Sequence, residues 1–327
     1  MKRRAFLKYV FRAATAGTSI WFLMRDTAFA KVLSVFGKGR KVDNARPIPP
    51  FQVKSFVKQN SIRCMVIGDW GTGDAFQKRI ASSMQQYAEK EESQFIISTG
   101  DNFYPVGVES KDDAQFRTKW ENMYNAAALQ VPWYLVLGNH DYLSNPDAQT
   151  EYNAINQRWN MPARYYTFTK QQGNISVQFF MLDTEVLHTD KTTEITAQLA
   201  WLEKELKTST AHWKVAVGHH IIRSYGVYGE QSFMIRQVKP LLDKYGVQAY
   251  INGHEHDIQY LKSPDDSFTC VISGGGGGAR NTSYGPNTRY ANTNGGFVGL
   301  SFTETSINAH FLDAQGTIVY ADDIATR

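Results

Sequence analysis

Apolar residues fall along this chain in short runs that stop at glycine. Ser61 to Ile67, Phe95 to Ser98, Pro132 to Leu137, Trp213 to Val217 and Gln248 to Ile251 are mostly apolar, and Gly follows each within two residues. Runs of that length bounded by Gly predict buried strands ending in turns. Between them the spacing becomes helical. Phe76, Ile80, Met84 and Tyr87 predict a helix from Phe76 to Tyr87. Phe116, Trp120, Met123 and Leu129 predict one over Asp112 to Ala128, and Ile195, Leu199, Leu202 and Leu206 one from Ile195 to Leu206. Phe233 to Tyr245 reads as a helix that Pro240 kinks or breaks. Ile175 to Asp183 alternates and then turns wholly apolar, as a strand entering a core does. From residue 268 onward the pattern is strand only: Phe268 to Ser273, Phe297 to Phe302, Ser306 to Phe311 and Thr317 to Tyr320. Gly274 to Gly278 and Arg280 to Gly296 read as a Gly/Asn/Thr-rich loop. Strands alternating with helices predict an α/β fold, a mixed-sheet sandwich with helices outside. Its ligands are expected at the carboxyl ends of the strands.

Charge changes the picture at one end only. The net charge of +4 comes from the first 30 residues, which carry six Lys/Arg and one acid. The remaining chain has 29 basic and 30 acidic residues. A basic nucleic-acid footprint is therefore absent from the body. Arg3-Arg4-Ala5-Phe6-Leu7-Lys8 resembles the twin-arginine export signature. A weakly apolar stretch, Ala13 to Met24, and a small-x-small site, Ala28-Phe29-Ala30, follow it. We expect residues 1–30 to be a signal peptide, 31–58 an extended lead-in and 59–327 one catalytic domain. Export by the twin-arginine machinery would place the folded protein in the periplasm or outside the cell, with no stable membrane span. Cys64 and Cys270 lie in apolar runs and read as buried thiols, or as a single bridge in an oxidising compartment.

The candidate chemistry sits where the strands end. The five tips read Gly68-Asp69-Trp70-Gly71, Gly100-Asp101-Asn102-Phe103-Tyr104, Gly138-Asn139-His140-Asp141, Gly218-His219-His220 and Gly253-His254-Glu255-His256. They hold five of the eight histidines, His140, His219, His220, His254 and His256. Asp69, Asp101, Asn139, His219, His254 and His256 are oxygen and imidazole donors without thiolate, a set suited to iron, zinc or manganese. A carboxylate placed between two clusters, as Asp101 is, can bridge two cations. Such a pair clamps a phosphoryl group.

This order of motifs resembles the metallophosphoesterase superfamily, and Tyr104 narrows the resemblance to the small, tartrate-resistant type of purple acid phosphatase. The likeness runs from about Arg63 to Phe311. It implies a four-layer αββα sandwich of two mixed β-sheets flanked by helices, and an acid phosphatase acting on small phosphate monoesters. It implies that Asp69, Tyr104 and His256 bind Fe(III), that Asp101 bridges, and that Asn139, His219 and His254 bind a divalent ion, Fe, Zn or Mn. It implies in-line attack by metal-held hydroxide. His140 then binds substrate phosphate and protonates the leaving alkoxide as general acid. His220 either contacts the phosphate from the rim or lines the cleft. A phosphodiesterase or nucleotide pyrophosphatase on the same scaffold, or a non-catalytic metal- or phosphate-binding protein, are the alternatives.

Two departures from the family stand out. Small family members commonly carry a rim histidine shortly after Gly218-His219-His220, where this chain reads Gly226-Val227-Tyr228-Gly229. Tyr228 is a candidate replacement donor. Glu255 stands where Asp is usual, and its position reads as solvent-facing. Asp141 reads as a turn cap. The glycine run reads as a tight turn, and Arg280 and Arg289 either steer anions or solvate their loop.

Overall fold

The computed structural model describes residues 51–189 and 191–327. The expected signal segment, and most of the lead-in, lie outside the described residues. Fourteen strands form two seven-stranded mixed sheets. In the first, β1 (Ile62–Ile67), β2 (Phe95–Ser98), β3 (Trp133–Leu135) and β4 (Trp159–Asn160) run parallel. The antiparallel β12 (Gly296–Phe302), β13 (Ser306–Asp313) and β14 (Ile318–Thr326) continue the sheet beyond β1. In the second, β6 (Ile175–Met181), β7 (Trp213–Val217), β8 (Ala249–Asn252) and β10 (Thr269–Ser273) run parallel. Antiparallel β5 (Tyr166–Gln172), β9 (Ile258–Leu261) and β11 (Thr288–Asn292) complete it.

The period of two in the strands separates the layers. Val177, Phe179 and Met181 of β6 pack into one core with β1 and β2, whereas Phe180 packs into a second core with Leu202, Leu206, Met234 and Leu242. Those four residues come from helices on the outer face of the second sheet. Helix α1 (Ala75–Glu91) covers the outer face of the first, where Tyr87 meets Phe297 edge-on. Asp74 caps α1 by accepting the backbone N–H groups of Phe76 and Gln77. The result is the expected four-layer sandwich. The core begins before residue 59: Phe56 is buried and stacks on His310.

Two local expectations need correction, and a third is met. Asp112 to Ala128 is not one helix. A wide π turn covers Phe116–Glu121 and a 3-10 turn Ala127–Leu129. Phe116 stacks on Tyr152 at 3.7 Å and Trp120 meets Trp159 at 5.0 Å, so packing of large rings decides the backbone there. The predicted loop after Arg280 contains β11, an edge strand whose polar sequence hides it. The Phe233 to Tyr245 helix divides into Ser232–Gln237 and Lys239–Lys244, as Pro240 requires. Cys64 and Cys270 are buried and unbridged on different sheets, and burial pushes both thiols well above their usual range. Among the described residues no helix is long and apolar enough to cross a membrane.

Candidate metal centre

All five tips extend from the carboxyl ends of parallel strands, three from the first sheet (β1, β2, β3) and two from the second (β7, β8). Their crowding explains the glycines. A Cβ on Gly138 would lie 2.2 Å from Asp101 Oδ1, one on Gly253 2.4 Å from Asp69 Oδ2, and one on Gly100 2.8 Å from His219 Nδ1. The residues after Gly68, Gly100 and Gly253 sit in the left-handed region: Asp69 (φ 57°), Asp101 (φ 51°) and His254 (φ 71°). Such strain in non-glycine residues persists only where the surroundings over-determine it, and here it turns three donors inward.

The donor atoms converge on two foci. At the first, the Tyr104 hydroxyl lies 3.1 Å from Asp69 Oδ1, 2.8 Å from Asp101 Oδ2 and 3.0 Å from His256 Nε2. One phenolic proton cannot serve both carboxylates. At the second, His219 Nε2 lies 3.1 Å from Asn139 Oδ1, 3.1 Å from His254 Nδ1 and 3.5 Å from Asp101 Oδ2. His219 Nδ1 donates to the Thr99 carbonyl at 2.9 Å, so in the neutral ring Nε2 presents a lone pair. Two groups of lone pairs thus face inward without enough protons, and Asp101 Oδ2 belongs to both. That donor set fits a pair of cations sharing one carboxylate.

Electrostatics favours the ligating form at Asp101 and His254 and opposes it at Tyr104 and His219, where burial is outweighed by the charges of Asp101 and Asp69, which raise the imidazole. Burial works to raise the Asp101 carboxyl, but His219 and His140 outweigh it and hold it at about 2. Burial, then the charges of Asp101 and Asp69, hold the Tyr104 phenol well above its ordinary value. Burial and neighbouring imidazoles, His220 and His219 first among them, hold His254 well below its own. Carboxylates and a neutral imidazole are the forms that ligate.

Around the foci the remaining residues divide by role. His140 is partly exposed. Its Nδ1 donates to the Pro105 carbonyl at 2.7 Å, its backbone N–H donates to Asp101 Oδ1, and its ring packs on Tyr104. Asp141 is wholly buried and accepts from the backbone of Gly138, Asn102 and Phe103 and from Gln149 Nε2, a cap across two tips. His220 is buried. Thr184 Oγ1 meets its Nδ1 at 2.9 Å and Glu185 lies 3.4 Å from its Nε2, which favours lining the cleft over reaching from the rim. Glu255 corrects the sequence reading. It is wholly buried, not solvent-facing, and its Oε1 accepts the backbone N–H groups of Tyr228 and Gly229. Tyr228 stacks on His254, with ring centres 4.2 Å apart and planes at 16°. Arg280 donates to the Tyr228 hydroxyl at 3.0 Å and does not solvate the loop. Sequence periodicity carried no signal for Glu255 or Arg280, because both act through residues remote in sequence. The glycine run packs as a turn: Gly276 N–H donates to the Gly68 carbonyl at 3.0 Å.

Comparison with known proteins identifies relatives over most of the chain. The Calcineurin-like phosphoesterase family profile covers residues 62–257. Purple acid phosphatase 17 of Arabidopsis thaliana is 33% identical over 286 residues, 80% of this chain and 83% of that one. Tartrate-resistant acid phosphatase type 5 of Oryctolagus cuniculus is 30% identical over 304 residues, 82% and 92% of the two chains. Among solved structures, GAP50, the anchor in the inner membrane complex of Plasmodium, superposes with a TM-score of 0.77 at 22% identity over 82% of this chain and 90% of that one. Purple acid phosphatase PPD1 of yellow lupin gives 0.63 at 16% identity over 81% and 53%. At these identities the two structures speak for the fold alone. With two donor foci at the strand tips and these sequence relatives over most of its length, the chain belongs to the calcineurin-like phosphoesterases, in their purple acid phosphatase branch.

Proposed function

We propose that this protein is an acid phosphatase that hydrolyses phosphate monoesters at a dinuclear metal centre. The observation that carries the reading is the pair of donor foci sharing Asp101 Oδ2. Asp69, Tyr104 and His256 would hold one cation, Asn139, His219 and His254 the other, and Asp101 both. The phenol favours Fe(III) at the first position, and amide and imidazole suit divalent Fe, Zn or Mn at the second. When bound, such a pair neutralises phosphoryl charge and lowers the pKa of water. His140 supplies the proton. With Nδ1–H fixed on the Pro105 carbonyl, its acid form is the doubly protonated ring, which holds a transferable proton at Nε2 on the open side. That proton goes to the departing ester oxygen.

The deciding experiment is metal content with the visible spectrum, measured beside hydrolysis of 4-nitrophenyl phosphate. Two metals including iron, a visible charge-transfer band and its bleaching in Tyr104→Phe are expected. An active, colourless, iron-free protein would overturn the iron assignment, and one that loads no metal would overturn the centre.

We also infer that residues 1–30 direct twin-arginine export to the periplasm or beyond, that 31–58 is a lead-in and that 59–327 is one catalytic domain. The Arg3-Arg4 motif and Ala28-Phe29-Ala30 support this. Export that persists in Arg3→Lys/Arg4→Lys protein would refute the route.

A further inference from the structure

We propose that Arg280, positioned by Tyr228, binds the phosphoryl group of the substrate and sets a preference for a monoester dianion over a diester monoanion. The preference rests on the phosphatase reading, whereas the anion site itself can be tested without it.

Arg280 is placed by built contacts. Its backbone N–H donates to the His256 carbonyl at 2.7 Å, which fixes the residue against a metal-facing tip. One guanidinium nitrogen donates to the Tyr228 hydroxyl at 3.0 Å, and the group lies 5.4 Å from the Tyr228 ring centre. Tyr228 is itself held twice, by Glu255 at its backbone and by His254 against its ring. A chain of contacts therefore runs from the metal-facing His254 through Tyr228 to Arg280.

The guanidinium is half-buried, yet among the described residues it forms no ion pair. Its charge is felt at Tyr104, His254 and Glu255, so it lies within electrostatic reach of the centre. Asp69 attracts it only from beyond ion-pair distance, and a partly desolvated guanidinium with no carboxylate in contact keeps donors to satisfy. Asp69 does not match it: Tyr104 Oη and His256 Nε2 lie against Asp69 Oδ1, and the His254 backbone N–H donates to Oδ2. Most of the five guanidinium N–H donors remain for an incoming anion. Their planar fork matches phosphoryl oxygens. A monoester dianion has one more charge and one more unsubstituted oxygen to offer than a diester, so the same cation discriminates between them. Tyr228 thus acts through the arginine it holds.

The test uses metal-loaded protein with inorganic phosphate as probe, read by calorimetry. In Arg280→Gln the phosphate Kd should rise about 10- to 100-fold, the scale of one charged hydrogen-bonded contact. Metal content should stay at the wild-type value. Arg280→Lys should recover part of the loss, and Tyr228→Phe should show a smaller rise. In turnover, kcat/KM for 4-nitrophenyl phosphate should fall at least tenfold more than for bis(4-nitrophenyl) phosphate. Unchanged phosphate affinity in Arg280→Gln would overturn the proposal, and so would a loss of affinity accompanied by loss of metal. A wild type that binds phosphate through Arg280 but hydrolyses no monoester would sink the phosphatase reading and leave the anion site standing.

Discussion

Glu255 holds Tyr228 by its backbone: the Tyr228 N–H donates to Oε1 of a carboxyl group with no exposed surface. The acid between His254 and His256 therefore fixes the loop that carries Tyr228 against His254. Burial raises this carboxyl to about 7 against the pull of the Tyr228 N–H. Removing it in Glu255→Ala leaves the Tyr228 and Gly229 N–H groups without their partner, at a cost of about 1–3 kcal/mol. Thermal unfolding of metal-loaded protein should show this. Glu255→Asp, one methylene shorter, should keep most of the stability and weaken phosphate binding by loosening Tyr228. Equal melting temperatures for wild type and Glu255→Ala would refute the role.

Asp141 ties two tips together with four donors from Asn102, Phe103, Gly138 and Gln149. Asp141→Asn keeps the volume but turns an NH₂ group toward this ring of N–H groups. A destabilisation of about 3 kcal/mol is expected, since one buried donor pair is left unmatched. Asn139 and Asp101 sit on the tips that Asp141 joins, so metal affinity should also fall about 10- to 100-fold, as it does for residues that support ligands. Competition with a chelator measures this directly. Unchanged affinity would make Asp141 a cap without influence on the centre.

The five tips were legible because each combines a local apolar run, a glycine and a donor residue, all within a few positions. The reason for the glycines was not, because the clash at Gly138 is with Asp101 and the clash at Gly253 is with Asp69. These are contacts between loops, and no local pattern encodes them. Glu255 was misread for the same cause: a carboxylate flanked by histidines looks solvent-facing until the loop at Tyr228 closes over it. The π turn at Phe116–Glu121 reflects ring stacking with Tyr152 and Trp159, partners over 30 residues away. Sheet order was not legible either, since β1 pairs with β12 across most of the domain.

His140 should matter in proportion to how badly the leaving group needs a proton. Its Nδ1 is committed to Pro105, so Nε2 alone can deliver one. In His140→Ala, kcat for an alkyl phosphate should fall about 10²- to 10⁴-fold. For 4-nitrophenyl phosphate, whose phenolate leaves unprotonated, the fall should be about tenfold or less. Equal losses on both substrates would assign His140 to binding and not to proton transfer.

Asp183 gives a pH signature away from the proposed metal ligands. It is buried behind the His140 turn, where it accepts from the Tyr142 hydroxyl, and Arg164 donates to that same hydroxyl at 3.2 Å. Burial raises its carboxyl from 3.8 to about 6, with Tyr142 and Arg164 opposing. The folded state then keeps a proton that the unfolded chain gives up between those values. The group contributes no penalty below pH 4, and its penalty grows as pH rises to 6 and is constant above. The full gap corresponds to about 3 kcal/mol. Asp183→Asn removes the titration and should keep one hydrogen bond to Tyr142. Urea unfolding at pH 4.5 and pH 6.5 should therefore show wild type losing stability relative to Asp183→Asn as pH rises. A difference between the two proteins that does not change with pH would mean that Asp183 stays ionised in the fold, and that Arg164 and Tyr142 outweigh its burial.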